Sequence, residues 1–260
     1  MLGIVNVTAD SFSDGGRFLD PARAIARGLE LRDEGADFVD VGGESTRPGS
    51  EPVSLEEELR RVIPVVEALA RQGVAVSIDT TKPAVMRAAI DAGCSVVNDV
   101  NAFRASGAIE AVAGTSAGLI VMHMQGTPAT MQEAPRYVDV VAEVAAFLAG
   151  RARALGAAGV APHRIALDPG FGFGKTVEHN KALFHAMPAL ARLGYPVLAG
   201  LSRKKMLGDF TGRPVAERAA ASVAAALLAV QNGASLVRVH DVKDTIDAIS
   251  VWMALRPGTT

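Results

Sequence analysis

The amino-acid sequence predicts an α/β protein, a closed TIM (β/α)8 barrel spanning residues 1–260 as one domain, from three observations. Eight short apolar runs alternate with amphipathic stretches along the chain. Each run is rich in Val, Ile or Leu and apolar on both faces, as in strands buried within a parallel sheet. Polar residues gather at the C-terminal ends of the runs, the rim where such barrels carry their chemistry. The runs are 2–6, 38–41, 76–79, 96–99, 119–122, 165–168, 197–200 and 236–238. A doubly wound open sheet would alternate in the same way, but its Gly-rich dinucleotide fingerprint is missing after the first run. No linker, repeat or low-complexity tract divides the chain, and 260 residues is the usual size of one barrel.

The first run ends at Asn6 and opens into NVTADSFSDGG (6–16), a polar, Gly-ended loop with one aromatic, Phe12. The second opens into GGESTRPG (42–49), where Arg47 between Thr46 and Pro48 is placed to meet an anion. Both loops are longer than usual and suit mobile covers over a site. The clearest helix follows. Leu55, Leu59, Val62, Ile63, Val66 and Leu69 recur with helical spacing, Ser54 and Glu57 have the spacing of a capping box, and Pro64 should kink it. The third, fourth and sixth runs end in Asp79, Asn98 with Asp99, and Asp168. Capping of the next helix explains any one of these, Asp79 before Thr80 for example, but explains the series badly. After Asp168, GFGFGKT superficially resembles a phosphate-binding P-loop, yet Gly170 and Gly174 stand one residue too close for that motif. Nucleoside triphosphate binding is rejected on this spacing. The seventh run leads into GLSRKKM and the eighth ends in VRVHD, so Lys204, Arg238 and His240 form a basic sector. Arg238 and His240 share one face by the strand period of two.

The formal net charge of −2 argues against nucleic-acid or anionic-membrane partners, so an anionic ligand must be met by a local basic cluster. The single cysteine, Cys94, excludes an internal disulfide and reads as a buried, inert thiol in a reducing compartment. No run approaches the roughly 18 apolar residues of a membrane span, and no signal-peptide pattern opens the chain. A cytoplasmic protein is expected. Separate carboxylates suit the amino-amidine edge of a heterocycle such as a pterin or guanine, and the basic sector suits a phosphate or diphosphate. Zinc-type Cys/His ligands are lacking. A hard cation such as Mg2+, held mainly by diphosphate oxygens with one protein amide, fits the same groups.

Seven segments, GIVNVTADSFSDGG, DVGGESTRPG, SIDT, NDV, LDPGFGFGKT, LSRKK and VRVHDV, together resemble the dihydropteroate synthase family over essentially the whole chain. The resemblance implies condensation of 6-hydroxymethyl-7,8-dihydropterin diphosphate with 4-aminobenzoate, dependent on Mg2+, giving 7,8-dihydropteroate and diphosphate. It also implies a sulfonamide target and a homodimer, with the apolar stretch 219–229 available for packing or an interface. By resemblance, Asp79, Asn98, Asp168 and Lys204 hydrogen-bond the pterin, and Met122 and Arg238 pack on its ring faces. Asn6 ligates Mg2+ and, with Thr46, Arg238 and His240, holds the diphosphate. Phe12, Arg47, Pro48, Phe173, Ser202 and Lys205 build the aminobenzoate pocket, and Asp14, Arg47 and Lys204 are the residues implied in catalysis.

Three departures from the family pattern stand out. Lys205 occupies a position where many relatives have Ser, and it either strengthens binding of the aminobenzoate carboxylate or points to solvent. Ala9 replaces a frequent Pro. Met1 directly precedes the first run, where relatives carry a short segment closing the barrel bottom, so a truncated chain or a different cover is expected. Two rival readings are a pterin-binding methyltransferase and a non-catalytic pterin-binding protein. The first has no use for the NVTADSFSDGG loop or the basic diphosphate sector. The second would show broken loop residues, whereas Asn6, Asp14, Arg47 and Lys204 are all present.

Overall fold

The β-branched and aliphatic runs become strands that pair side by side in a computed structural model, which describes residues 1–8, 21–46 and 50–256. The strands are β1 (Leu2–Asn6), β2 (Phe38–Gly42), β3 (Val76–Asp79), β4 (Val96–Asp99), β5 (Gly118–Met122), β6 (Ile165–Asp168), β7 (Leu198–Ala199) and β8 (Leu236–Val239). All pair in parallel in the order β6-β5-β4-β3-β2-β1-β8-β7. A parallel bridge between Leu167 and Val197, with the Leu167 N–H donating to the Pro196 carbonyl at 2.8 Å, joins β6 to β7 and closes the barrel. The eight expected runs agree with the eight strands to within about two residues at each end, the seventh being the shortest.

Helices lie between the strands: α1 (Pro21–Asp33), α2 (Leu55–Arg71), α3 (Pro83–Asp91), α4 (Ala108–Val112) and α5 (Val140–Ala157) in the first half. The second half adds α6 (Val177–His185), α7 (Met187–Ala191), α8 (Lys205–Thr211), α9 (Ala219–Gln231) and α10 (Val242–Leu255). Helix α2 shows how local signals operate. The Glu57 N–H donates to Ser54 Oγ at 3.2 Å, but the Glu57 carboxylate turns to Arg60 and Arg61, so half of the expected capping box forms. The helix continues through Pro64 as one element. Its buried stripe of Val62, Val65, Val66 and Leu69 faces the barrel together with an acid, Glu58.

Alternation along each strand divides the interior into two zones. Outward residues such as Val39, Val41, Ile78, Val97, Val121 and Leu167 are buried under the helices in one continuous core. Inward residues near the strand starts, Leu2, Ile120, Ala166 and Leu198 with Phe38, Val96 and Leu236, pack on one another as an apolar plug. One step further along, the inward positions turn polar. Asp40 and Ser77 stand opposite each other on β2 and β3, as do Asp79 and Asn98 on β3 and β4. Cys94 is buried and free, and burial pushes its thiol up to about 12, consistent with an unreactive role. Among the described residues no helix is long and apolar enough to cross a membrane.

The plug supports the polar zone above it, so truncating it should cost stability. Ile120→Ala is expected to lower unfolding free energy by about 2–5 kcal/mol, the usual range for a buried aliphatic side chain. Urea denaturation checks this, and a loss below about 1 kcal/mol would mean that the lower barrel is loosely packed.

Candidate active site

Strand register decides which inward side chains meet. Arg238, on β8, reaches across the barrel, donating from Nε to Asp40 Oδ2 at 2.5 Å and from Nη2 to Asp79 Oδ2 at 2.8 Å. Asn98 Nδ2 donates to the same Asp40 oxygen at 3.4 Å. Burial works against the guanidinium charge, but Asp40 and Asp79 outweigh it and hold the Arg238 pKa above its ordinary value. Burial pushes the Asp79 carboxyl up to about 7, against the opposing pull of Arg238 and with added repulsion from Asp40, Asp99 and Glu58. Gly42 leaves room here: a side chain on it would stand between Asp79 and Asn6 Oδ1. Asn6 closes β1 at the same rim, and its side chain has no hydrogen-bond partner among the described residues.

The segment after β6 supplies the opposite wall. Asp168 Oδ1 accepts the Gly170 N–H at 2.7 Å, which turns the chain back on itself. Gly170 has φ +68°, and a Cβ there would lie 1.9 Å from the His123 carbonyl oxygen. At Gly172, φ +78°, the lack of a side chain makes way for the methylenes of Lys204. Lys204 Nζ sits 3.9 Å from the centre of the Phe173 ring, a cation–π contact. Burial lowers the Lys204 pKa to about 8, while the attraction of Asp168 opposes it. Burial raises the Asp168 pKa against the Gly170 hydrogen bond and the Lys204 charge. Phe173 packs beside Val100, Met122, Met124 and Met131, so a sulfur-rich apolar surface adjoins the polar ring.

The expected site residues therefore divide. Asn6, Asp79, Asn98, Met122, Asp168, Phe173, Lys204 and Arg238 come together at the C-terminal rim. Ser202 and His240 join through a 2.9 Å hydrogen bond between Ser202 Oγ and His240 Nδ1, and the His240 N–H also donates to Ser202 Oγ at 3.2 Å. Thr46 lines a cavity of about 500 Å3 with Asp79, Thr80, Asn101, Arg104 and Met124. Lys205, expected either to meet the aminobenzoate carboxylate or to point to solvent, opens α8. Its side chain is 87% exposed and paired with Asp209 at 3.1 Å, one turn along α8, because its place in the first turn aims it outward. Phe12, Asp14, Arg47 and Pro48 lie outside the described residues. A wider depression of about 870 Å3, lined by Glu30, Asp33, Glu34, Lys243 and Asp247, opens between α1 and α10 on the outer surface, away from these groups.

Three buried polar groups escaped sequence reasoning. Asp40 was legible as the one charged residue within an apolar run, two places before the rim glycine, Gly42. Glu58 is fully buried, accepting from Thr80 Oγ1 at 2.5 Å and pairing with Lys82, which also pairs with Glu44. This ties the start of the second loop to α2 and α3. Its helical position carries the signal, since Glu58 falls among the apolar stripe of α2. Lys175 ends the GFGFGK segment and points inward, its Nζ meeting His123 Nδ1 at 3.0 Å, the Gly170 carbonyl at 2.9 Å and the Phe173 carbonyl at 2.9 Å. Burial lowers Lys175 to about 7 and His123 to about 3, so the imidazole is neutral and its Nδ1 accepts.

This geometry can be set beside known proteins. The model of the pterin-binding enzyme family matches residues 2–240. A dihydropteroate synthase of Neisseria meningitidis serogroup C is 51% identical over 260 residues, covering 98% of this chain and 92% of that protein. Among solved structures, a Xanthomonas albilineans dihydropteroate synthase with 4-aminobenzoic acid is 53% identical, with a TM-score of 0.93 and coverage of 99% and 93% of the two chains. A Burkholderia cenocepacia dihydropteroate synthase complexed with 7,8-dihydropteroate is 54% identical, with a TM-score of 0.89 and coverage of 98% and 90%. A full-length match of this identity, on a barrel whose polar rim carries the family's segments in order, means that the chain belongs to the dihydropteroate synthases, transferases of the pterin-binding enzyme family.

Proposed function

We infer that the chain condenses 6-hydroxymethyl-7,8-dihydropterin diphosphate with 4-aminobenzoate, giving 7,8-dihydropteroate and diphosphate. The observation that carries this reading is the ring of Asp79, Asn98, Asp168, Lys204 and Arg238 at one end of the barrel in a chain of this family. The carboxylates and the Asn98 amide oxygen accept N–H donors from the heterocycle. Met122 and the Arg238 guanidinium cover its faces, and Lys204 contributes a donor beside Asp168.

The reaction breaks the bond between the pterin methylene carbon and the diphosphate oxygen, and the bonding pair leaves with diphosphate. The arylamine nitrogen then forms the new C–N bond with its neutral lone pair and loses a proton to solvent. No strong general base is required. The ionised acids stabilise positive charge on the pterin methylene, and Arg238 and His240, with Thr46, meet the leaving diphosphate. The Asn6 amide oxygen, a hard donor without a partner among the described residues, suits Mg2+. That ion, when bound, supplies charge neutralisation for the leaving group. Phe12, Arg47, Pro48, Phe173 and Ser202 are assigned to the aminobenzoate pocket, and Asp14 and Arg47 to the closing loops. The reading places the chain in the cytoplasm as a homodimer. Free, buried Cys94 and the exposed Leu228, Val251 and Leu255 on α9 and α10 support those two assignments.

Incubating the protein with both substrates and Mg2+ should release 7,8-dihydropteroate, detectable by chromatography. Tight pterin binding without turnover would instead support a binding protein. Asp168→Asn has a particular cost. The amide oxygen must accept from Gly170, so the NH2 group faces the pterin donors. Pterin affinity should weaken by roughly 1–3 kcal/mol in a calorimetric titration, and unchanged affinity would count against this placement. Arg47→Ala should reduce kcat much more than pterin affinity; equal losses would remove the second loop from the catalytic cover.

A further inference from the structure

Asp40 lies one layer below the groups assigned to the pterin and is fully buried. Its Oδ2 receives both Arg238 Nε and Asn98 Nδ2, while its Oδ1 has no partner among the described residues, nor has the neighbouring Ser77 Oγ. A buried carboxylate only half satisfied is a costly way to stabilise a core, and packed apolar side chains would serve stability as well or better. Its arrangement has a directional consequence. A carboxylate can only accept, so the Asn98 NH2 must face Asp40 and the Asn98 oxygen must face the opposite way. The same oxygen occupies the Nε side of the Arg238 fork, leaving Nη2 to Asp79 and setting the plane of the guanidinium.

We propose that Asp40 is a positioning residue for the reaction. It fixes the plane of Arg238 and turns the oxygen of Asn98 toward the pterin, without itself touching substrate. The proposal rests on reading this site as the pterin pocket. It makes Asp79, Asn98 and Asp168 all present acceptors to the pocket, the polarity that selects a heterocycle edge made of N–H donors over one made of acceptors.

Asp79 provides a readout that a purely structural role would not move. The charged groups facing it are Arg238 from β8, Asp40 from β2, Asp99 from β4, Glu58 from α2 and Lys204 before α8. In the native chain, affinity for 6-hydroxymethylpterin should fall as pH drops through about 7, where protonation removes the Asp79 acceptor. Asp40→Asn removes one like charge from beside Asp79 and lowers its pKa. The acid limb of pterin binding should therefore move down by about one pH unit. On the alkaline side of the limb, affinity should drop about tenfold, because Arg238 and Asn98 are no longer held. The KM for 4-aminobenzoate should stay within about twofold.

Loss of affinity with an unmoved limb, or a moved limb with full affinity, overturns the proposal. Failure of the native chain to bind 6-hydroxymethylpterin overturns the pterin reading instead, so the two are distinguishable. Should Asp40→Asn not fold, Asn98→Asp asks the same question from the other partner. It sets a further carboxylate beside Asp79, which raises the Asp79 pKa, and it replaces the amide that Asp40 holds. The acid limb of pterin binding should then move up by about one pH unit with weaker affinity on its alkaline side, and an unmoved limb or full affinity overturns the proposal.

Discussion

A guanidinium held between two carboxylates inside a closed barrel sets the terms for the rest of this site. Arg238 enters from β8 and meets Asp40 and Asp79 from β2 and β3, so one side chain links strands from the two ends of the sequence. Below it the apolar plug excludes water, which strengthens each of these contacts and makes each expensive to leave unmade. Breaking such a pair by deleting one partner commonly costs about 3–5 kcal/mol. The polar ring is therefore interdependent, and its members are best understood as one unit rather than as separate ligands.

Burial acts on the ring in two opposed directions. It raises the acids Asp79 and Asp168 and lowers the base Lys204, bringing groups that differ widely in water toward neutrality. On the proposed reading, these groups meet a flat heterocycle whose edge carries N–H donors. The hydrogen-bonded pair of Ser202 and His240 lies at the same rim, and the proposed reaction assigns His240 and Arg238 to the departing diphosphate. The proposed reaction asks this layered arrangement to stabilise separated charge.

The glycine-rich turn after β6 depends on a second buried cation. Lys175 gathers the carbonyls of Gly170 and Phe173 with the neutral imidazole of His123, and so holds Asp168, Phe173 and the approach of Lys204 in one frame. The lysine that resembles a nucleotide-binding residue in sequence is thus turned away from any ligand and into the fold. Glu58 does comparable work on the other side, joining the second loop to α2 and α3 through Thr80 and Lys82. Neither the Glu58–Thr80 nor the Lys175–His123 contact can be read from spacing, because each joins residues separated by 22 or more positions.

The sequence by itself determined the eight strands, their parallel pairing and the rim position of Asn6, Asp79, Asn98, Asp168 and Arg238. Periodicity and β-propensity are local properties, and they act in the same sense as the final fold. Its ordered segments determined the family as well. Tertiary structure alone decided that Asp40 would anchor Arg238 and Asn98, that Lys175 would brace a turn, and that Lys205 would pair with Asp209 in solvent. Those outcomes follow from strand register and from which face of a helix meets the barrel. A one-residue slip turns a strand side chain to the opposite face and a helical one by about 100°.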